Sequence, residues 1–165
     1  MRVLWAPWRL AYIEKPAPGA GCIFCDKPRL DTAAERRHHL VLRVTEHACV
    51  LMNLYPYSSA HLLIAPRVHT ADFTSLATAP AAAVQLELQR AVRVLGKAFS
   101  PAGFNIGMNL GRSAGAGIAD HLHWHVVPRW EGDTNFMPML ADTRVMPEHL
   151  ENTYERLLPL FEEAQ

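Results

Sequence analysis

His121-Leu122-His123-Trp124-His125-Val126-Val127 sets three histidines at strict two-residue spacing with apolar residues between them. Successive side chains on a β-strand point to opposite faces, so this spacing predicts three imidazoles on one face and Leu122, Trp124 and Val126 on the other. The two valines, followed by Pro128, favour a strand that the proline ends over a helix. A single strand histidine is ordinarily a satisfied core or surface residue. Three side by side leave many donors and acceptors to satisfy, and neutral imidazole is both a nucleophile and a metal ligand, so the row reads as a site. Residues i and i+2 of a strand lie roughly 6–7 Å apart, which puts the first and third histidines roughly 13 Å apart. Bonds to zinc are only about 2 Å long, so one ion does not take all three without a bend, and the rings hold different jobs.

Outward from this row the chain reads as one domain of alternating short elements. Leu40–Val44, Ala48–Asn53 and His61–Ala65 are apolar, strand-like runs, the last ended by Pro66. Phe104, Ile106, Met108 and Leu110 alternate with Asn105, Gly107 and Asn109, a period-two strand that a short glycine-rich loop, Gly111–Gly117, joins to the histidine row. That loop is too short for a crossover helix, so the two strands are expected to pair antiparallel. Between 80 and 99, Val84, Leu88, Ala91, Val92, Leu95 and Phe99 recur at spacings of three and four, predicting an amphipathic helix; a second is expected over Pro147–Glu163, with Pro159 bending or shortening it. The expected class is α+β, an antiparallel sheet of about five strands with two main helices. The opening 1–21 reads as an arm, aromatic at Trp5, Trp8 and Tyr12.

The 165 residues suffice for one core, and sixteen basic against sixteen acidic side chains give a formal net charge of zero, which disfavours a nucleic-acid partner. No apolar run approaches a membrane span and no signal-peptide pattern opens the chain, so a cytoplasmic location away from membranes is expected. Three cysteines, an odd number, argue against a disulfide framework. Cys22-Ile23-Phe24-Cys25 can supply two thiolates to one tetrahedral ion, which needs two more ligands; no thioredoxin-like pattern surrounds the pair, so a redox role ranks low. Cys49 reads as a buried core thiol.

Further blocks accompany the histidine row: Leu4-Trp5-Ala6-Pro7-Trp8-Arg9, Asn53-Leu54-Tyr55-Pro56-Tyr57, Ala60-His61-Leu62-Leu63-Ile64-Ala65-Pro66, the run from Gly103 to Gly111, and Val126 to Phe136. With the triad they resemble the histidine triad (HIT) superfamily of nucleotide hydrolases and transferases, in particular its bacterial diadenosine tetraphosphate (Ap4A) phosphorylase-like branch. The likeness spans nearly the whole chain and implies a single HIT domain over 1–165 whose sheet continues into a partner's in a homodimer.

The resemblance also assigns roles. It makes His123 the nucleophile that attacks an α-phosphorus and forms a nucleotidyl-histidine, and gives His125 to the phosphate or leaving group as donor or acid. His61 and Asn109 fall on phosphate-side positions, and Asn53 on one near the sugar. Cys22, Cys25, His69 and His121 fall on a zinc site, whose four protein ligands would leave no open position and make the ion structural; His38 and His39, beside Arg36 and Arg37, are the nearby alternatives. No organic cofactor is implied. Gly117 and Ile118 depart from the pattern, because many triad proteins carry Gln, Ser or Thr there; a backbone N–H of Gly117 would have to substitute. Trp130 and Asn135 could reach a base or the partner, or serve as core or interface residues.

The implied activity is cleavage of dinucleoside polyphosphates such as Ap4A, with phosphorolysis by inorganic phosphate favoured. A hydrolase or nucleoside phosphoramidase using water, and a nucleotide-binding regulatory module without turnover, are the alternatives.

Overall fold

The computed structural model describes residues 21–133 and 148–163. The aromatic arm with Trp5, Trp8 and Tyr12, as well as Asn135, lies outside those residues.

Five strands form one antiparallel sheet: β1 (Val41–Val44), β2 (Ala48–Met52), β3 (Leu62–Pro66), β4 (Gly103–Met108) and β5 (Trp124–Arg129), in the order β1-β2-β3-β5-β4. β2 and β3 are buried along their whole length, which is why both are continuous apolar runs. Their alternate residues serve two cores. Val50, Met52, Leu62, Ile64 and Val126 of β5 face the helices, packing with Val84, Leu88, Ala91 and Leu95 of α3 (Thr78–Phe99) and Tyr154, Leu157 and Phe161 of α4 (Leu150–Glu163). Cys49, Leu51, Leu63 and Ala65 face the other way, into a smaller core with Val41 and Phe24. Helix α3 ends at Ser100, whose left-handed φ of 46° lets the chain turn into Pro101. Pro159 neither stops nor shortens α4, which runs on to Glu163.

Two short helices precede the sheet: α1 (Ile23–Asp26), whose Phe24 belongs to the smaller core, and α2 (Ala33–His38), whose Arg37 pairs with Glu155 of α4 at 2.8 Å. The second opens with a capping box, in which the Thr32 side chain accepts from the Glu35 N–H and the Glu35 carboxylate accepts from the Thr32 N–H. Across the sheet, Arg43 Nε donates to Glu87 Oε1 at 3.1 Å and its Nη1 to the Phe161 carbonyl at 3.3 Å, tying β1 to both long helices.

β4 and β5 pair antiparallel in the register Gly107↔His125 and Met108↔Trp124, as the short loop between them predicts. The strand expectation is corrected at both ends, because β5 begins at Trp124 and not at His121, and it runs through Pro128 to Arg129, where Gly103 of β4 still pairs with it. Before Trp124 the backbone takes other partners: the Leu122 N–H donates to the Thr70 carbonyl at 2.8 Å, and β4 has already ended at Met108. No helix among the described residues is long and apolar enough to cross a membrane.

Candidate functional site

The three triad imidazoles line up on the smaller-core side of the sheet, and each has a different set of partners. His121 and His123 are buried, at 1% and 5% exposure. His121 Nε2 donates to the Pro66 carbonyl at 2.8 Å, which in a neutral ring leaves the Nδ1 lone pair facing away. His123 does the converse: its Nδ1 donates to the His121 carbonyl at 2.9 Å, so Nε2 carries the lone pair. Burial holds both imidazoles below the usual histidine range, and both are neutral near pH 7.

The third ring belongs to a chain of hydrogen bonds whose direction can be read. Tyr57 N–H donates to His61 Nδ1 at 3.1 Å. Asn53 Oδ1 accepts from the Tyr55 N–H, so its Nδ2 is the atom that faces the same nitrogen, at 3.2 Å. With Nδ1 serving as acceptor, the His61 hydrogen sits on Nε2 and points at His125 Nδ1, 2.9 Å away. His125 therefore carries its own hydrogen on Nε2. Tyr57 stacks on His125 at 5.6 Å and 21°, fixing the ring plane.

The expected metal ligands come together from three separate parts of the chain. One ligand atom from each of Cys22, Cys25, His69 and His121 lies within 4.8 Å of every other. Individual separations are 3.2 Å from Cys22 Sγ to His121 Nδ1, 3.6 Å from Cys25 Sγ to His121 Nδ1, 3.3 Å from Cys25 Sγ to His69 Nδ1, and 3.2 Å between the two Nδ1 atoms. Zinc bond lengths on a tetrahedron require about 3.3 Å between two nitrogens and about 3.5 Å between nitrogen and sulfur, so the donor set has the right span. Pro66 orients His121 so that the free lone pair is the one on the thiol side. Burial, with the neighbouring Cys22 thiol next, pushes the Cys25 thiol up. His38 and His39 meet edge to face, with ring centroids 4.9 Å apart, and are not in this group.

A cleft of about 300 Å³ opens beside His125, lined by Tyr57, Asn105, Ile106, Gly107, Met108, Asn109 and Val127. Its size is in the range of small-molecule sites. His123 is not among the lining residues; it meets His125 edge to face, with ring centroids 5.1 Å apart. Asn109 lines the cleft and its Nδ2 donates to the Gly115 carbonyl at 3.4 Å, tying β4 to the glycine-rich loop. Gly111 and Gly115 in that loop have φ of 78° and 87°, a backbone that other residues rarely adopt. Gly117 is exposed in the same loop and does not line the cleft. Ile118 packs against the smaller core, so its departure from a polar residue has a packing reason.

Sequence reasoning did not single out Tyr57, Asn105 or Met108 as cleft residues, nor Phe24 as a neighbour of the triad. Their signals were present: Asn105 shares the period-two face of Gly107 and Asn109, and Phe24 sits inside the Cys-x-x-Cys stretch. Trp130 Nε1 donates to the Phe99 carbonyl at 3.2 Å, which places this tryptophan against the end of α3.

Residues 34–132 match the model of the HIT domain. The "AP-4-A phosphorylase" of Mycobacterium tuberculosis is 36% identical over 163 residues, covering 94% of this chain and 81% of that protein. The adenosine 5'-monophosphoramidase hnt1 of Schizosaccharomyces pombe is 28% identical over 108 residues, 66% of this chain and 74% of that one. Among solved structures, a zinc-bound histidine triad family protein from Mycobacterium smegmatis superposes with a TM-score of 0.67 at 26% identity, covering 87% of this chain and 94% of its own.

Proposed function

This chain belongs to the HIT family, in its Ap4A phosphorylase-like branch, and from that premise we propose that it is an enzyme that cleaves dinucleoside polyphosphates such as Ap4A through a nucleotide carried on His123. The observation that carries the reading is the protonation pattern of the triad. His123 presents a lone pair on Nε2, while Nδ1 is held by the His121 carbonyl. Attack of Nε2 on an α-phosphorus forms a P–N bond as the P–O bond to the polyphosphate breaks. The ring gains positive charge in that step, and the carbonyl accepting from Nδ1 steadies it. His125, with its hydrogen directed onto Nε2 by His61, donates a hydrogen bond to the departing oxygen. Asn109, Gly117 N–H and other backbone donors of the glycine-rich loop are the candidates to meet the phosphate oxygens. Asn53, held between Tyr55 and His61, is within the site and contacts the sugar in this reading.

In the second step an oxygen of inorganic phosphate attacks the same phosphorus, the P–N bond breaks, and His123 returns to its neutral form. Ap4A thus yields ATP first and ADP second. The likeness to a protein named as a phosphorylase favours phosphate as acceptor. The likeness to a phosphoramidase supports water as the second reading.

Cys22, Cys25, His69 and His121 would hold a zinc ion with a full set of protein ligands, so what it supplies is structural, a tie between the start of the domain and the triad. The outer edge of β4, with Ile106 half exposed on it, is the surface on which a second copy would extend the sheet in a homodimer.

The experiment is product analysis with Ap4A in the presence and absence of phosphate, together with acid quench to trap the P–N adduct. Phosphate-dependent formation of ADP and ATP, with an adduct mapped to His123 and absent from His123→Ala, is the expected result. Turnover without phosphate would move the assignment to the hydrolase, and full turnover by His123→Ala would refute the nucleophile.

A further inference from the structure

The residue between the two thiols of the four-ligand group is packed against the nucleophile. Phe24 is 1% exposed. Its ring stacks on His123 with centroids 4.9 Å apart and planes 28° from parallel, and touches His121 at 5.2 Å and 52°. It is also a member of the smaller core, with Val41, Cys49, Leu51, Leu63 and Ala65. We propose that Phe24 is a positioning residue for His123, through which the Cys22/Cys25 turn holds the nucleophile in its attacking orientation. The proposal rests on the reading of His123 as the nucleophile and deepens it.

Three observations support a role beyond filling space. First, the hydrogen bond from His123 Nδ1 to the His121 carbonyl fixes one point of the ring but leaves its plane able to pivot. Phe24 stacks against one face of that ring, and His125 meets it edge to face, so the plane is set by these two contacts. Second, α1 is only four residues long, with the Cys25 and Asp26 N–H groups both donating to the Cys22 carbonyl at 2.9 Å. A single turn has little stability of its own. Its position is set by the side chains that anchor it, which are Cys22 and Cys25 in the four-ligand group and Phe24 in the core. Third, the same turn reaches the first two members of the row: Cys22 and Cys25 meet His121, and Phe24 meets His121 and His123. Any shift of the turn is felt by the nucleophile as a tilt. A misplacement of about 1 Å at a reacting atom can cost about 10²-fold in rate.

The test uses Phe24→Leu, which refills the core with an apolar side chain but offers no flat face, and Phe24→Met as the second variant should the first not fold. Both are assayed after metal analysis and a thermal melt. The expected result is a kcat lower by about 10- to 10²-fold with KM within about threefold, together with a shift of the His123 ring resonances in nitrogen-15 NMR. Chelation of the wild-type protein is expected to move those resonances in the same direction. A folded, metal-replete variant with wild-type kcat, one altered only in KM, or His123 resonances that do not move in either experiment would overturn the proposal. The NMR readout does not depend on turnover, so it separates this failure from that of the nucleophile reading, which falls on an active His123→Ala.

Discussion

His61 Nε2 lies 2.9 Å from His125 Nδ1, and the hydrogen between them belongs to His61 because its Nδ1 already accepts from the Tyr57 N–H. A backbone amide that cannot change its proton therefore sets the tautomer of two successive rings and aims an N–H from His125. His61→Phe keeps a ring in this buried place but removes the donor. Its kcat is expected to fall about 10²-fold with a smaller change in KM, since a lost transition-state hydrogen-bond donor costs about 10²–10³ in rate. Steady-state kinetics with Ap4A and phosphate check this.

Cys25→Ser removes one of four ligands while keeping the size of the side chain. Zinc content per chain is expected to fall well below that of the wild type, and the melting temperature to fall with it, because binding to the folded form alone stabilises by mass action. Elemental analysis and a thermal melt of protein purified without chelator read both.

Cys49, at 1% exposure, has its thiol pushed up to about 12 by burial. An acid whose folded pKa lies above its unfolded value releases its proton more readily when unfolded. Cys49 therefore contributes stability below pH 9.0 that is lost as pH rises from there towards about 12. Cys49→Val is expected to flatten that alkaline fall in a plot of melting temperature against pH. In the folded wild type, iodoacetamide at pH 8 should leave Cys49 unlabelled.

Glu87 is buried at 4% exposure between Arg43, at 3.1 Å, and Arg90, at 3.4 Å. Glu87→Ala leaves two largely buried guanidinium groups without their counter-charge and is expected to cost about 3–5 kcal/mol in denaturant unfolding. A replacement that is neutral would show that the arginines find water instead.

Most of the sheet is legible in local pattern. The two continuous apolar runs of β2 and β3 and the alternation of β4 follow from the period of a strand. The period of α3 follows from apolar side chains at three and four. The start of α2 was equally legible in Thr32-Ala33-Ala34-Glu35, a capping box that the strand-centred reading passed over. The start of β5 was not, because period-two spacing continues through His121 and His123 although their backbone has left the ladder. What ends the strand is the Thr70 carbonyl and the finish of β4, both far away in sequence.

The sequence by itself determined the family, the sheet and which residue types could do chemistry, because spacing and side-chain identity are local properties of the chain. Only the tertiary structure decided which nitrogen of His121 and His125 carries a hydrogen, since the Pro66 carbonyl reaches the first from 55 residues away and His61 reaches the second from 64. Only it placed Cys22 and Cys25 against His121, 99 and 96 residues on, and brought Phe24 onto His123. Hydrogen-bond direction and ring packing depend on atoms a few ångströms apart in space, and no spacing along the chain encodes them.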